Sequence, residues 1–310
     1  MERPAVSILT GRVAFGANNI FTVKVADQAY QCRLKGKILR QDEKAYNPLA
    51  PGDVVEFEPD AHTASEGLIL KRRERDNSLV RWNRKRRALQ TVAANIDLLA
   101  VVTSGKNPPF RPRFIDRVLI AADEIPALIV LNKTDLQYDE AVRSRMQVFA
   151  DMGYEVVETS VLTGDGIDVL AEKVEGRLTA FFGQSGVGKS SLLNRLFPGV
   201  DLEVGEISQK YDRGRHITKN ARLYEYEQNY FIDTPGIRQI ELGIENPDQL
   251  DHYFRDFLPY IGTCEFQPCS HLHEPGCAVQ RAVEANLIHP DRYESYARIY
   301  YELEERKEYG

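Results

Sequence analysis

Long apolar runs are missing from this chain. The longest, Ile96 to Val102, is already interrupted by Asp97, far short of the roughly 20 residues a membrane-spanning helix needs. The start, Met1-Glu2-Arg3-Pro4, lacks the apolar core of a secretory signal. The end, Glu308-Tyr309-Gly310, carries no prenylation box. A cytoplasmic protein with no membrane partner is therefore expected. A cationic excess is also missing: the net charge is -6, so bulk electrostatics do not mark a nucleic-acid binder. Cysteine is scarce. There are four, and Cys264, Cys269 and Cys277 fall within fourteen residues while Cys32 stands alone. Without an export signal, clustered thiols point to a metal before a disulfide framework.

What is present is an ordinary globular composition, 43% hydrophobic and 28% charged over 310 residues, enough chain for two or three domains. Charge is unevenly spread. Nine Lys or Arg against Glu74 and Asp76 occupy Lys71 to Arg87, whereas the tail from Glu284 is acid-rich. That stretch reads either as one basic contact surface, with Arg84, Lys85, Arg86 and Arg87 at its end, or as a solvated linker.

Hydrophobic patterning divides the chain further. Short alternating runs at Gly11–Phe15, Phe21–Val25, Tyr30–Leu34, Asp53–Phe57 and Gly67–Leu70, with Gly, Pro and Asn between them, predict a small all-β barrel. From Ile96 onward, apolar strand candidates at Leu98–Thr103, Ala127–Leu131, Glu155–Glu158, Leu178–Phe182 and Tyr230–Ile232 alternate with helical segments. That alternation predicts a parallel sheet covered by helices. Past Gly243 a compact, helix-rich tail with Cys and His begins.

Three motifs carry chemistry. Gly183-Gln184-Ser185-Gly186-Val187-Gly188-Lys189-Ser190 follows the strand candidate Leu178–Phe182 and precedes helical Ser191–Leu196, the strand–loop–helix context of a phosphate loop. Glycines allow backbone N–H groups to wrap phosphates at a helix N-terminus. Lys189 would reach the β- and γ-phosphates and the Ser190 hydroxyl would ligate Mg²⁺. Asp233-Thr234-Pro235-Gly236 closes the strand Tyr230–Ile232; Asp233 suits Mg²⁺ and the Gly236 amide suits a γ-phosphate. Asn132-Lys133-Thr134-Asp135 closes Ala127–Leu131. A carboxylate there can accept from guanine N1 and N2, which adenine cannot supply. Alone the motif could equally be a helix cap, but beside a phosphate loop it implies GTP over ATP.

The order of these motifs is inverted. In the common GTPase arrangement the guanine motif follows the phosphate loop, yet here Asn132 precedes Gly183 by 51 residues and no second Asn-Lys-x-Asp follows. A circularly permuted nucleotide domain is the consequence. Ser160 and Val161, after the strand Glu155–Glu158, suit the loop whose backbone amide contacts guanine O6. In the tail, Cys264-x4-Cys269-x-His271-x5-Cys277 supplies three thiolates and an imidazole, a set that can close a tetrahedral zinc site with no open position, structural and not catalytic. His273 competes for the fourth place, and buried structural cysteines are the bland alternative.

With these residues assembled, the chain resembles the bacterial ribosome small subunit-dependent GTPase A family, along nearly its whole length. Ala93–Asp97 and Gly214-Arg215-His216 add to the match, as do all four positions of the family's zinc motif. The resemblance implies a multidomain fold: an OB barrel over 1–75, a circularly permuted P-loop GTPase domain over 76–245 and a small helical zinc domain over 246–310. It implies hydrolysis of GTP to GDP and phosphate with Mg²⁺, stimulated by the 30S ribosomal subunit during its late maturation. One structural Zn²⁺, contact with 16S rRNA and a monomeric state are expected with it. The rival reading is an RNA-binding module whose affinity GTP sets, with hydrolysis incidental. The family continues Gly-Arg-His with three threonines, whereas this chain has Ile217-Thr218-Lys219; Thr218 is then the expected Mg²⁺-contacting threonine. Ile237 stands where many GTPases place the Gln that orients water, so the resemblance leaves His216 as the candidate for that role.

Overall fold

The computed structural model describes residues 8–34, 47–63, 65–83, 88–200, 202, 221–234, 240, 242–244 and 246–309, except the side chains of 82, 83, 308 and 309. Its first five strands are β1 (Leu9–Ala17), β2 (Ile20–Val25), β3 (Gln28–Leu34), β4 (Val54–Pro59) and β5 (Glu66–Arg72), followed by β6 (Ser78–Asn83) and β7 (Ala88–Ala94). Then come β8 (Leu98–Ser104), α1 (Pro112–Ala121), β9 (Ala127–Asn132), α2 (Glu140–Asp151), β10 (Glu155–Thr159), α3 (Ile167–Val174), β11 (Leu178–Gly183), α4 (Lys189–Leu196), β12 (Arg222–Tyr226) and β13 (Asn229–Asp233). Two 3-10 helices (Pro247–Tyr253 and Leu258–Tyr260), α5 (Ala278–Glu284) and α6 (Pro290–Tyr309) complete the order. No helix among the described residues is long and apolar enough to cross a membrane.

The chain forms two compact units. The first comprises residues 1–110, 124–138 and 156–241. In it β1 to β5 close an OB-like barrel in the order β1-β2-β3-β5-β4, as the alternating runs predict. Each run sends every second side chain inward, so Val13, Val23, Cys32, Val55 and Phe57 are fully buried. The β1–β2 connection is Asn18-Asn19, both at positive φ (50° and 62°), the backbone a tight two-residue hairpin requires and Asn tolerates.

Part of the basic stretch departs from the linker reading. β6 and β7 pair antiparallel, Ser78 opposite Ala94 through Asn83 opposite Ala88. Leu79, Val92 and Ala93 are buried, so this segment has an apolar side that its cations obscure in the sequence. Arg84 to Arg87 lie outside the described residues.

The remaining strands of this unit form a six-stranded sheet ordered β10-β9-β8-β11-β13-β12. β11 lies between β8 and β13, parallel to both; β8 also pairs parallel with β9. Every residue of β8 is buried, which accounts for its continuous apolar sequence. The phosphate-loop strand is thus central in space although fourth in chain order among the sheet's strands. β12, absent from the sequence-based strand candidates, pairs antiparallel with β13. That hairpin meets the barrel: Lys24 Nζ donates to Glu225 Oε2 at 2.9 Å, and the Arg222 guanidinium lies 4.8 Å from the Phe15 ring centroid.

The second unit comprises residues 111–123, 139–155 and 242–310. Helices α1 and α2, which lie in chain order between sheet strands, group by compactness with the C-terminal residues. Ile120, Leu250, Phe254, Phe257, Tyr296 and Leu303 share one core there. Asp116 of α1 is fully buried and accepts from Arg145 Nη2 of α2 at 2.6 and 2.7 Å and from Arg292 Nη1 of α6 at 2.7 Å. Arg292 also reaches both oxygens of Asp256. A carboxylate this deep persists because its charge is matched, and deleting one partner would strand the rest.

Candidate nucleotide site and metal centre

The phosphate loop is built by close approach. Gly183 ends β11 where an added Cβ would sit 2.5 Å from Val102 O of β8, so a larger residue would part the strands. Gln184 to Gly188 form the turn, and α4 starts at Lys189. Gly188 stands at φ +88°, where a Cβ would lie 2.6 Å from Asn132 Nδ2; conformation and space both demand glycine. Ser190 and Ser191 sit half-buried in the first turn of α4. Lys189 is buried and its ammonium pairs with Asp233 Oδ1. Burial pushes this lysine down to about 7, while a neighbouring carboxylate works in the opposite sense. Asp233 is held at the end of β13 by the next residue, whose Thr234 Oγ1 donates to Phe181 O at 2.7 Å.

The guanine-motif residues are bonded to that loop. Asn132, buried at the end of β9, donates from Nδ2 to Val187 O at 2.9 Å and accepts at Oδ1 from Thr159 Oγ1 at 3.1 Å. Lys133, at φ +67°, donates from Nζ to Gly186 O at 2.7 Å and to Asn107 O at 2.6 Å. Thr134 donates through N and Oγ1 to Thr159 O, both at 3.1 Å. Asp135 is exposed, with Oδ1 accepting from the Ser160 hydroxyl at 2.6 Å. Ser160 Oγ in turn accepts from Thr163 N at 3.2 Å, and Val161 follows half-buried. The segments carrying Asn132–Asp135, Ser160–Val161 and Gly186–Val187 are therefore joined by side-chain hydrogen bonds. His216, Thr218 and Gly236 lie outside the described residues.

In the second unit Cys264, Cys269, His271 and Cys277 present ligand atoms that all lie within 4.8 Å of one another. Cys264 and Cys277 sulfurs are 3.9 Å apart, and His271 Nδ1 is 3.6 and 3.4 Å from them. A tetrahedron with metal–sulfur arms of about 2.3 Å has S···S edges of about 3.8 Å, so the donor set fits one tetrahedral ion. His273, the competitor in sequence, is exposed and its Nε2 lies 2.8 Å from Tyr301 OH. Burial pushes the Cys277 thiol up. It acts on Cys264 too, but there the Ala278 amide and neighbouring groups outweigh it and hold that thiol below the usual range.

Sequence reasoning misses the groups around these ligands. Asp251, buried in a 3-10 helix twenty residues upstream, places Oδ2 3.3 Å from His271 Nε2. A carboxylate on the outer nitrogen fixes the tautomer that leaves Nδ1 free to ligate. No spacing rule finds it, because only the fold brings it there. Asn107 and Thr159, which hold the guanine motif through a backbone carbonyl and a hydroxyl, are missed for the same reason.

Comparison with known proteins agrees with this geometry. A family model described as RsgA GTPase matches residues 72–243, and one described as RsgA N-terminal domain matches residues 10–69. The small ribosomal subunit biogenesis GTPase RsgA of Borreliella afzelii is 38% identical over 311 residues, covering 98% of this chain and 100% of that protein. The crystal structure of YjeQ from Thermotoga maritima superposes with a TM-score of 0.73 at 32% identity, covering 96% of this chain and 99% of that one. The crystal structure of YloQ, a circularly permuted GTPase, gives 0.68 at 25% identity over 99% of both chains.

Proposed function

This chain belongs to the RsgA GTPase family and is a GTP hydrolase, and from that premise we propose that the small (30S) ribosomal subunit switches its hydrolysis on during late maturation of that subunit. The bonding of Asn132 and Lys133 to the carbonyls of Val187 and Gly186 supports the nucleotide half of this reading most, and the similarity to small ribosomal subunit biogenesis GTPases supports the subunit half. That bonding ties the segment read as base-recognising to the segment read as phosphate-binding, despite their inverted order.

In this reading Asp135 accepts from guanine N1 and N2, the backbone at Ser160–Val161 meets O6, and residues 183–191 cradle the phosphates. Lys189 neutralises charge on the β- and γ-phosphates. Mg²⁺, arriving with GTP, is held by Ser190 and Thr218 with Asp233 beside it, and the Gly236 amide meets the γ-phosphate. His216 orients the attacking water. One zinc ion binds Cys264, Cys269, His271 and Cys277 and stabilises the C-terminal fold; with four protein ligands it leaves no position for substrate. The barrel and Arg84–Arg87 contact 16S rRNA, and the protein works as a monomer in the cytoplasm.

GTP turnover with and without purified small subunits tests the proposal, with turnover expected to rise when subunits are added. Unchanged turnover contradicts the switch, even where more chain sediments with subunits under a non-hydrolysable GTP analogue than under GDP.

A further inference from the structure

His271 holds an unusual backbone, with φ at +63°, in the left-handed region that costs a side-chain-bearing residue. Something must hold it there, and the hydrogen bonds around it identify the group. Glu274 Oε1 accepts from Ser270 N at 2.8 Å and from Ser270 Oγ at 2.7 Å. Its Oε2 accepts from Leu272 N and His273 N, both at 3.2 Å. Three amides flanking position 271 thus converge on one carboxylate, the arrangement of an anion-binding nest. On the other side Tyr293 OH and Gln280 Nε2 donate to His271 O at 2.8 and 3.2 Å, and Tyr296 OH donates to Ser270 O at 2.8 Å. The two sets of bonds hold the peptide from both sides. It turns the His271 ring toward Cys264 and Cys277.

We propose that Glu274 is the positioning residue of this metal centre: its carboxylate folds residues 270–273 about itself and so fixes His271, and not His273, as the fourth ligand. This rests on the reading of Cys264, Cys269, His271 and Cys277 as a zinc site. Glu274 does not serve as a ligand itself: four N–H and O–H donors take up its oxygens, and Cys269 Sγ, one of the ligands, lies 3.6 Å from its Oε2. Replacing it with Gln leaves one acceptor oxygen and turns an NH₂ group against amide or hydroxyl donors that point at it. The loop can then relax, and His271 is no longer held at the distance the sulfurs require.

The test uses the full chain, with Glu274→Gln, Ser270→Ala and, as a charge control in the same segment, Glu265→Gln. Zinc content is measured first, then the rate of zinc transfer to a colorimetric chelator, then the ligand-field spectrum with Co²⁺ in place of zinc. Outer partners of metal ligands change affinity by about ten- to a hundredfold. Glu274→Gln should therefore lose zinc about ten to a hundred times faster and shift the cobalt bands, with Glu265→Gln unchanged. Ser270→Ala removes one donor of four and should move the rate the same way by a few-fold. Unchanged release and spectrum in Glu274→Gln, or in Ser270→Ala should Glu274→Gln not fold, overturns the proposal. A wild-type chain that binds no zinc overturns the zinc reading beneath it as well.

Discussion

Substituting Asn for Asp135 changes one atom and should change the base this protein reads. The Ser160 hydroxyl donates to Asp135 Oδ1 at 2.6 Å. In Asp135→Asn that donor keeps the amide oxygen on its side, which places the NH₂ where Oδ2 stood, facing the base. Guanine presents N1–H and N2–H there, so one of the two acceptors is replaced by a donor that meets a donor. A hydrogen bond to a charged group contributes about 1.5–3 kcal/mol. Asp135 is exposed, which favours the lower end, so the lost bond amounts to about 1.5 kcal/mol, roughly tenfold in affinity. Xanthine carries a carbonyl at position 2, which accepts from the new NH₂, so XTP should gain what GTP loses. Competition of GTP and XTP against a fluorescent nucleotide measures both constants. A variant that still prefers GTP refutes the assignment of Asn132–Asp135 and of Ser160 as its neighbour.

Other expectations follow from the same geometry. Chelation of the metal should unfold the C-terminal segment before the nucleotide unit, with about one zinc per chain at the start; a metal-free chain with a protease-resistant tail contradicts it. Lys189 is pushed from 10.5 down to about 7 by burial, and a triphosphate favours its ammonium. Above pH 7 GTP binding should therefore take up a proton, and affinity should fall as pH rises toward 10.5; calorimetry at about pH 8.5 in two buffers of different ionisation enthalpy reads this, and zero uptake counts against it. Neutralising Arg84, Lys85, Arg86 and Arg87 should weaken subunit binding and flatten its salt dependence without touching GTP affinity, whereas an unchanged salt slope returns that run to a solvated linker. His216→Ala should keep GTP and subunit binding but lose subunit-stimulated turnover by about a hundredfold or more; intact stimulated turnover would move water activation elsewhere.

What the sequence reveals here is what local chemistry demands. A phosphate loop needs its glycines at fixed, closely spaced positions, so Gly183 to Gly188 is legible, and the strand before it is legible because β11 is buried throughout. The barrel is readable from alternation, since each strand has one buried face. β12 is not, because Arg222 to Tyr226 lies at the sheet edge and carries charge. β6 and β7 are hidden by the cations among them, although buried Leu79 and Val92 supply an apolar side. The candidate Cys and His ligands are readable because they are close in sequence. Asp251 and the Asp116–Arg145–Arg292 network are not: their partners lie 20 to 176 positions away and meet only through packing.

Steady-state GTP hydrolysis with and without purified small ribosomal subunits tests the account most directly. Ile237, in the place where other GTPases carry a water-orienting Gln, can neither donate nor accept a hydrogen bond from its side chain. Slow turnover by the chain alone is therefore predicted, rising steeply when subunits are added. Turnover that stays the same with subunits present, while nucleotide-dependent binding to them persists, would contradict it and leave a GTP-set RNA-binding module in its place.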